Sequence, residues 1–136
     1  MMLLETHRPE ETPFETLRHL TAVFAAEYER HAERIIAQQE LVRSSPSLLA
    51  REREIDRAWE ATMCEYLTKW GGGGREAEHR ARVLSGAAIG VIRATLRHWF
   101  DTGGQEDLNQ LGQEALGFLE QGFRKIVPME RLIDDA

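Results

Sequence analysis

The sequence is poor in cysteine and in long apolar runs, and each shortage excludes a class of protein. The single cysteine, Cys64, in 136 residues leaves no intramolecular disulfide framework and no cysteine-rich zinc site. No apolar run reaches the ~18 residues that a membrane-spanning helix needs, and residues 1–8 lack the hydrophobic region of a signal peptide. These absences predict a cytoplasmic protein that neither crosses a membrane nor is secreted.

Basic residues are in the minority. The 17 Lys and Arg against 23 Asp and Glu give a formal net charge of −6. Binding to a phosphate backbone depends on Lys and Arg, so the composition argues against direct nucleic-acid binding by this segment. A hydrophobic content of 42% is typical of one globular domain, which at this length buries roughly 68% of the unfolded chain's surface.

Apolar residues recur at helical rather than strand spacing throughout, which predicts an all-α fold. The clearest helix start is at Thr12, because Thr12 can cap the free amides, Pro13 suits the first turn and Glu15 completes a capping box. From there one apolar stripe runs along the helix. Its members are Phe14, Leu17, Leu20, Phe24 and Tyr28.

Proline and glycine divide the chain into about five helices. After the first helix, residues 31–42 continue helically until Pro46, where a helix capped by Ser45 begins and runs to Trp70. The glycines at 71–74 end it as a loop, since a phosphate-binding loop would need a preceding strand and a different motif. Two further helices are predicted at about 76–100 and 105–126.

The last two helices place small residues beside large apolar ones. Gly112, Gly117 and Gly122 each cost about 0.8–1 kcal/mol of helix propensity, which close packing must return. We therefore expect the two helices to pair tightly and to pair again with a second copy as a homodimer, the alternative being an intrachain crossing in a monomer. The predicted dimer interface consists of Gly86, Gly90, Ala94, Leu111, Gly112, Ala115, Leu119 and Gly122.

Several segments together resemble a known family. They are Pro46-x-Leu48 in a charged helix leading to Trp59, the sequence ARVLSGAA at 81–88, RATLRHWFDTGG at 93–104, and the stretch 108–119 ending in ALGFL. This pattern resembles the C-terminal domain of TetR-family transcriptional regulators over about residues 13–124. The resemblance implies a helical bundle whose last two helices form a dimeric four-helix bundle, and a small hydrophobic effector that shifts the conformation of a repressor on DNA.

The resemblance also sets the expected organisation of the chain. Residues 1–12 would be the remnant of a linker helix or disordered, 13–126 the effector-binding and dimerisation domain, and 127–136 a C-terminal tail. The family's helix-turn-helix unit is not expected within this chain, because residues 1–12 are too short for its helices. DNA would then be contacted only through that absent unit.

A ligand cavity in such a domain is lined mostly by apolar and aromatic side chains with a few polar groups. Seven residues on the predicted inward stripes are candidates, although plain core packing is the alternative for each of them. These are Phe24, Tyr28, Trp59, Met63, Ile92, Leu96 and Trp99. Gln38, Thr62, Arg93 and His98 could add polar contacts, with surface solvation as their alternative.

Catalytic and metal-binding interpretations find little support. Glu76 and His79 form one Glu-x-x-His motif, whereas a di-iron bundle needs two, and nothing beside Cys64 would activate its thiol. No enzyme activity, metal or cofactor is therefore predicted. The sequence favours a ligand-sensing regulatory domain, and the alternative is a stand-alone helical homodimer that binds a protein or small molecule without DNA.

Overall fold

The computed structural model describes residues 12–122 and shows, over that range, five helices and no strand. The predicted all-α fold is confirmed. The predicted segment at 1–11, the end of the last helix beyond residue 122 and the tail at 127–136 lie outside the described residues. The helices are α1 (Pro13–Arg30), α2 (Ala32–Ser44), α3 (Pro46–Trp70), α4 (Arg75–Asp101) and α5 (Leu108–Gln121).

Two predicted helix starts are confirmed by their caps. The Thr12 hydroxyl accepts a hydrogen bond from the Glu15 amide at 3.3 Å, and the Glu15 carboxylate accepts one from the Thr12 amide at 3.2 Å. The Ser45 hydroxyl accepts from the Leu48 amide at 3.4 Å, with Pro46 in the first turn of α3. These side chains satisfy amides that a helix N-terminus leaves without partners.

The last helix begins later than predicted. It begins at Leu108 because Asp107 is the N-cap and accepts from the Gln110 amide at 3.0 Å. It ends at Gln121, and Gly122 is the C-cap with φ of +76°. Gly122 is therefore not an interior helical glycine, and its conformation rather than close packing explains the residue type.

Three helix pairs form the body of the domain: α3 with α4, α1 with α5, and α4 with α5. The loop at 71–74 reverses the chain between α3 and α4, with Gly72, Gly73 and Gly74 in the left-handed region. Helix α2 has no buried residue and flanks the bundle beside α3 and α1. Helix α5 thus lies between α1 and α4 and holds them in one bundle.

Buried apolar residues form two separate cores. The first core joins α1, α3, α4 and α5, and the second joins the last turns of α1 and α4 to the start of α5. The first core consists of Leu17, Met63, Leu67, Ala81, Ala88, Ile89 and Leu116. The second consists of Ala25, Trp99 and Leu108, with half-buried neighbours that include Tyr28, Ile36, Leu96 and Phe100.

Polar contacts reinforce the pairing of α1 with α5. The Arg18 guanidinium donates to the Gln113 side chain at 3.1 Å and pairs with Glu120 at 3.0 Å. The Gln113 amide in turn donates to the Arg18 carbonyl at 2.8 Å. At the other end of the pair, the Leu108 amide donates to the Glu29 carboxylate at 2.8 Å. Helix α1 is therefore fixed to α5 along most of its length.

Candidate functional site

Two apolar side chains lie on helix faces that also carry buried residues and yet remain exposed. Phe24 lies one turn after Leu20 on the buried stripe of α1, and Ile92 lies two turns from both Ser85 and Trp99, which are fully buried on α4. Phe24 is nevertheless 38% exposed and Ile92 41% exposed. Neither belongs to the first or the second core. At this level of the bundle, these two side chains are therefore open to solvent in the monomer.

The neighbours of these two residues define the walls of this level. The Phe24 and Trp59 rings meet edge to face with centroids 6.0 Å apart, which links α1 to α3. The Tyr28 ring lies 6.2 Å from the Trp99 ring, and Leu96 packs on the same second core. We use the name central gap for the partly exposed group Phe24, Tyr28, Trp59, Ile92 and Leu96, which includes neighbours of both cores.

Charged side chains from α3 and α4 lie beside the central gap. The Arg93 guanidinium donates to the Asp56 carboxylate at 3.3 Å, which joins α4 to α3 close to Ile92 and Trp59. The pKa of Tyr28 is raised, mainly by burial of the phenol and then by the negative charges of Glu52 and Asp56. The tyrosine hydroxyl is therefore protonated at neutral pH and sits in a negative field.

Five of the seven predicted ligand residues are partly exposed, and the other two are buried. Met63 lies in the first core, and Trp99 is fully buried in the second core, where its indole N–H donates to the Glu106 carbonyl at 3.2 Å. Both of them fill space between helices. Two of the polar candidates also differ in their contacts. Arg93 pairs with Asp56 of α3, whereas His98 is exposed and pairs with Glu106 at 3.0 Å.

Sequence reasoning missed the two carboxylates beside the gap. Glu52 and Asp56 precede Trp59 at helical steps of four and three, which place all three on one side of α3. This spacing is the feature of the sequence that could have identified the two carboxylates. It was hard to separate from the many other charges of α3, because most of those face water.

The outer face of α4 carries small and apolar residues in a continuous row. Val83, Ala87, Gly90 and Ala94 recur at steps of four, three and four, so they share one side of the helix. Val83 is 62% exposed, and a Cβ added at Gly90 would meet nothing within 4 Å. On the neighbouring helix α5, Phe118 is also exposed. We call these four residues and Phe118 the outer seam.

The other predicted interface residues take different positions. A Cβ at Gly112 would lie 2.5 Å from the Thr21 methyl carbon, so Gly112 allows α1 and α5 of the same chain to cross closely. Leu119 packs against the first core and Leu111 against the second. A Cβ at Gly86 would meet the Glu60 carboxylate at 3.1 Å. Ala115 is half-buried on α5. Much of the small-residue pattern thus serves contacts within the monomer.

Two shallow clefts lie away from the central gap. One, of about 390 Å³, is lined by residues that include Glu29, Trp99 and Asp107, and the other, of about 360 Å³, by residues that include Cys64 and Lys69. Within residues 12–122 no three His, Cys, Asp or Glu side chains are grouped so that they could hold a metal ion. None of the described helices is long and apolar enough to cross a membrane.

Comparison with known proteins identifies the family. The family described as the MftR C-terminal domain, one of the TetR-type C-terminal domains, matches residues 11–124. No curated protein and no solved structure gives a significant match. The matched range includes all five helices and both cores. The chain therefore belongs to the TetR-type family described as the MftR C-terminal domain.

Proposed function

We propose that this domain is the effector-sensing and dimerisation domain of a TetR-like transcriptional repressor. A small hydrophobic effector would bind in the central gap, and two copies would associate through the outer seam. The observation that carries the proposal is the exposure of Phe24 and Ile92 on faces that otherwise point into the cores. Side chains so placed keep apolar surface in water in the free monomer, and an apolar ligand would cover that surface.

The helix packing supports a route from effector to quaternary structure. The walls of the gap come from α1, α3 and α4, whereas α1 is bonded to α5 through Arg18 and Glu29. An effector that separates α1 from α4 would therefore also displace α5. Because α4 and α5 carry the outer seam, the effector would favour one of two dimer arrangements. DNA binding would change through the spacing of helix-turn-helix units.

The exposed row on α4 supports the dimer. Small residues at Ala87, Gly90 and Ala94 let another helix approach closely, and Val83 adds apolar area that a monomer leaves in water. Phe118 extends the apolar surface onto α5. A two-fold axis near Gly90 would bring two α4–α5 pairs together as four helices.

Replacing Gly90 tests this arrangement. Gly90→Leu should disrupt self-association, because a leucine in the closest part of the seam would hold the helices apart. Sedimentation velocity at micromolar concentration should show a wild-type dimer and a monomeric variant. Ala50→Leu, an equally exposed change on α3 outside the seam, is the matched control and should remain dimeric.

Two results would contradict the proposed dimer. A wild-type protein that sediments as a monomer removes it, and a Gly90→Leu protein that stays dimeric places the interface on another face. Both variants should still unfold cooperatively in urea, since a Cβ added at Gly90 would meet nothing within 4 Å and Ala50 is exposed on α3. That control separates lost association from lost folding.

A further inference from the structure

Helix α2 is held in the bundle differently from the other four described helices. None of its residues is buried, whereas each of the other helices contributes buried residues. Its closest backbone neighbours are α3 and α1, the helices that follow and precede it in the chain. Most of the stability of a helix in a protein comes from tertiary packing of its apolar face. Helix α2 is therefore the least anchored of the described helices.

Two side chains of α2 reach α4 and the turn at 102–107 that follows it. Ile36 is half-buried on the second core, and a Cβ added at Gly104 would lie 2.9 Å from the Ile36 Cδ1 atom. The Arg43 guanidinium pairs with the Asp101 carboxylate in the last turn of α4 at 3.1 Å, and both side chains are about half exposed. An ion pair so exposed to water adds little stability. The attachment thus depends mainly on one apolar contact.

Both ends of α2 are short joints. His31 separates α1 from α2 with a backbone outside the helical region, at φ of −120° and ψ of 29°, and gives α2 no side-chain cap. Ser45 is extended, at φ of −122° and ψ of 114°, and precedes Pro46, whose ring disfavours a helical conformation in the residue before it. Residues at the ends of helices are where hinges absorb changes of φ and ψ. Helix α2 can therefore turn without unwinding α1 or α3.

We propose that α2 is a strap that releases from α4 and from the turn at 102–107, with hinges at His31 and Ser45, while the other four helices keep their packing. Release would uncover the part of the second core that Ile36 covers. It would also widen the cleft of about 390 Å³ that Ala32 of α2 shares with Trp99. The strap goes beyond the proposed function, because neither an effector nor a second copy of the chain takes part in its release.

Native-state hydrogen exchange, followed by mass spectrometry, measures the release. A helix of 13 residues is only marginally stable on its own, so a released α2 would expose its amides to exchange. Relative to their rates in the unfolded chain, α2 amides should exchange about 100-fold faster than α4 amides. Urea below the unfolding transition should leave the α2 rate unchanged, because release exposes little surface. Exchange of α2 at the rate of α4, with the same dependence on urea, would overturn the proposal.

Two substitutions loosen the attachment. Ile36→Ala should accelerate exchange along the whole of α2 about tenfold, although alanine favours a helix more than isoleucine does. This opposition separates docking from local helix stability. Arg43→Gln should accelerate it about threefold through loss of the Asp101 pair. Arg34→Gln is the matched control, because Arg34 is exposed on the opposite side of α2 and the charge change is the same. It should change no rate.

The extent of the acceleration decides between a strap and other kinds of opening. An increase confined to a few amides around the substituted residue would show that α2 frays locally, and the strap would be wrong. An increase that spreads to α4 and α5 would show that α2 opens only with the bundle, which also contradicts it. Slower exchange in Ile36→Ala would mean that helix propensity, not docking, controls α2. Ile36→Val, which removes one methylene group, serves if Ile36→Ala does not fold.

Discussion

One helix face of α1 meets two different environments. Leu17 in the first core and Leu20 one turn later are each 7% exposed, whereas Phe24, the next member of the same stripe, is 38% exposed. Helix α4 repeats the contrast, with Trp99 fully buried and Ile92 open two turns earlier. Hydrophobic periodicity thus gives the direction of a side chain but not whether a neighbour fills the space in front of it.

The glycines of the last two helices show the same contrast. Gly112 is closed by Thr21 of the same chain, and Gly90 has open space where a side chain would lie. Both look alike in the sequence, because each interrupts an apolar helix. The difference separates a residue that the monomer needs for packing from one that is available to a second copy.

The largest expected loss of stability tests the contrast between Trp99 and Ile92 on α4. Trp99→Ala should lower the free energy of unfolding by about 3–5 kcal/mol, because it empties the centre of the second core beside Tyr28 and Phe100. Ile92→Ala, two turns away, should cost only about 1–2 kcal/mol since the side chain is partly in water. Urea unfolding followed by circular dichroism measures both. Equal losses would mean that the level around Ile92 is as closely packed as the second core.

The sequence was sufficient to predict the helices, because their ends depend on local chemistry. The caps at Thr12 and Ser45 and the glycine loop at 71–74 act within a few residues of themselves. The start of α5 at Leu108 was harder to place, since Gln105 and Glu106 also suit a first turn. Glu106 is instead held outside the helix by its contacts with His98 and Trp99, which depend on the tertiary structure.

The candidate site was only partly predictable. Of the seven ligand residues predicted from the inward stripes, five are partly exposed and two are buried, and their role in binding stays a prediction. The sequence could not separate Met63, which is buried in the first core, from Trp59, which packs against the same core and stays partly exposed. The distinction depends on the distances between helices.

A smaller effect is expected where α1 crosses α5. Gly112→Ala should destabilise the fold by about 1–3 kcal/mol, because the new methyl group would overlap Thr21. Thr21→Ser removes the methyl group and can keep the hydroxyl bond to the Leu17 carbonyl at 2.7 Å. In that background Gly112→Ala should become neutral or stabilising by up to about 1 kcal/mol of helix propensity. A double-mutant cycle in urea tests the coupling, and additive losses would show that Thr21 is not the obstacle.

The smallest expected effect concerns the last turn of α1, which carries one glutamate that contacts another helix and one that does not. Glu29→Ala should cost about 0.5–2 kcal/mol, because the Leu108 amide at the start of α5 loses its acceptor. Glu27→Ala removes only pairs with Arg30 and His31 on its own helix boundary and should cost about 0.5 kcal/mol or less. The two variants carry the same change in charge, so a difference between their unfolding midpoints reports the interhelical contact alone. Identical midpoints would show that α5 begins at Leu108 without help from α1, and the route proposed from the central gap to the outer seam would then depend on Arg18 and the apolar contacts.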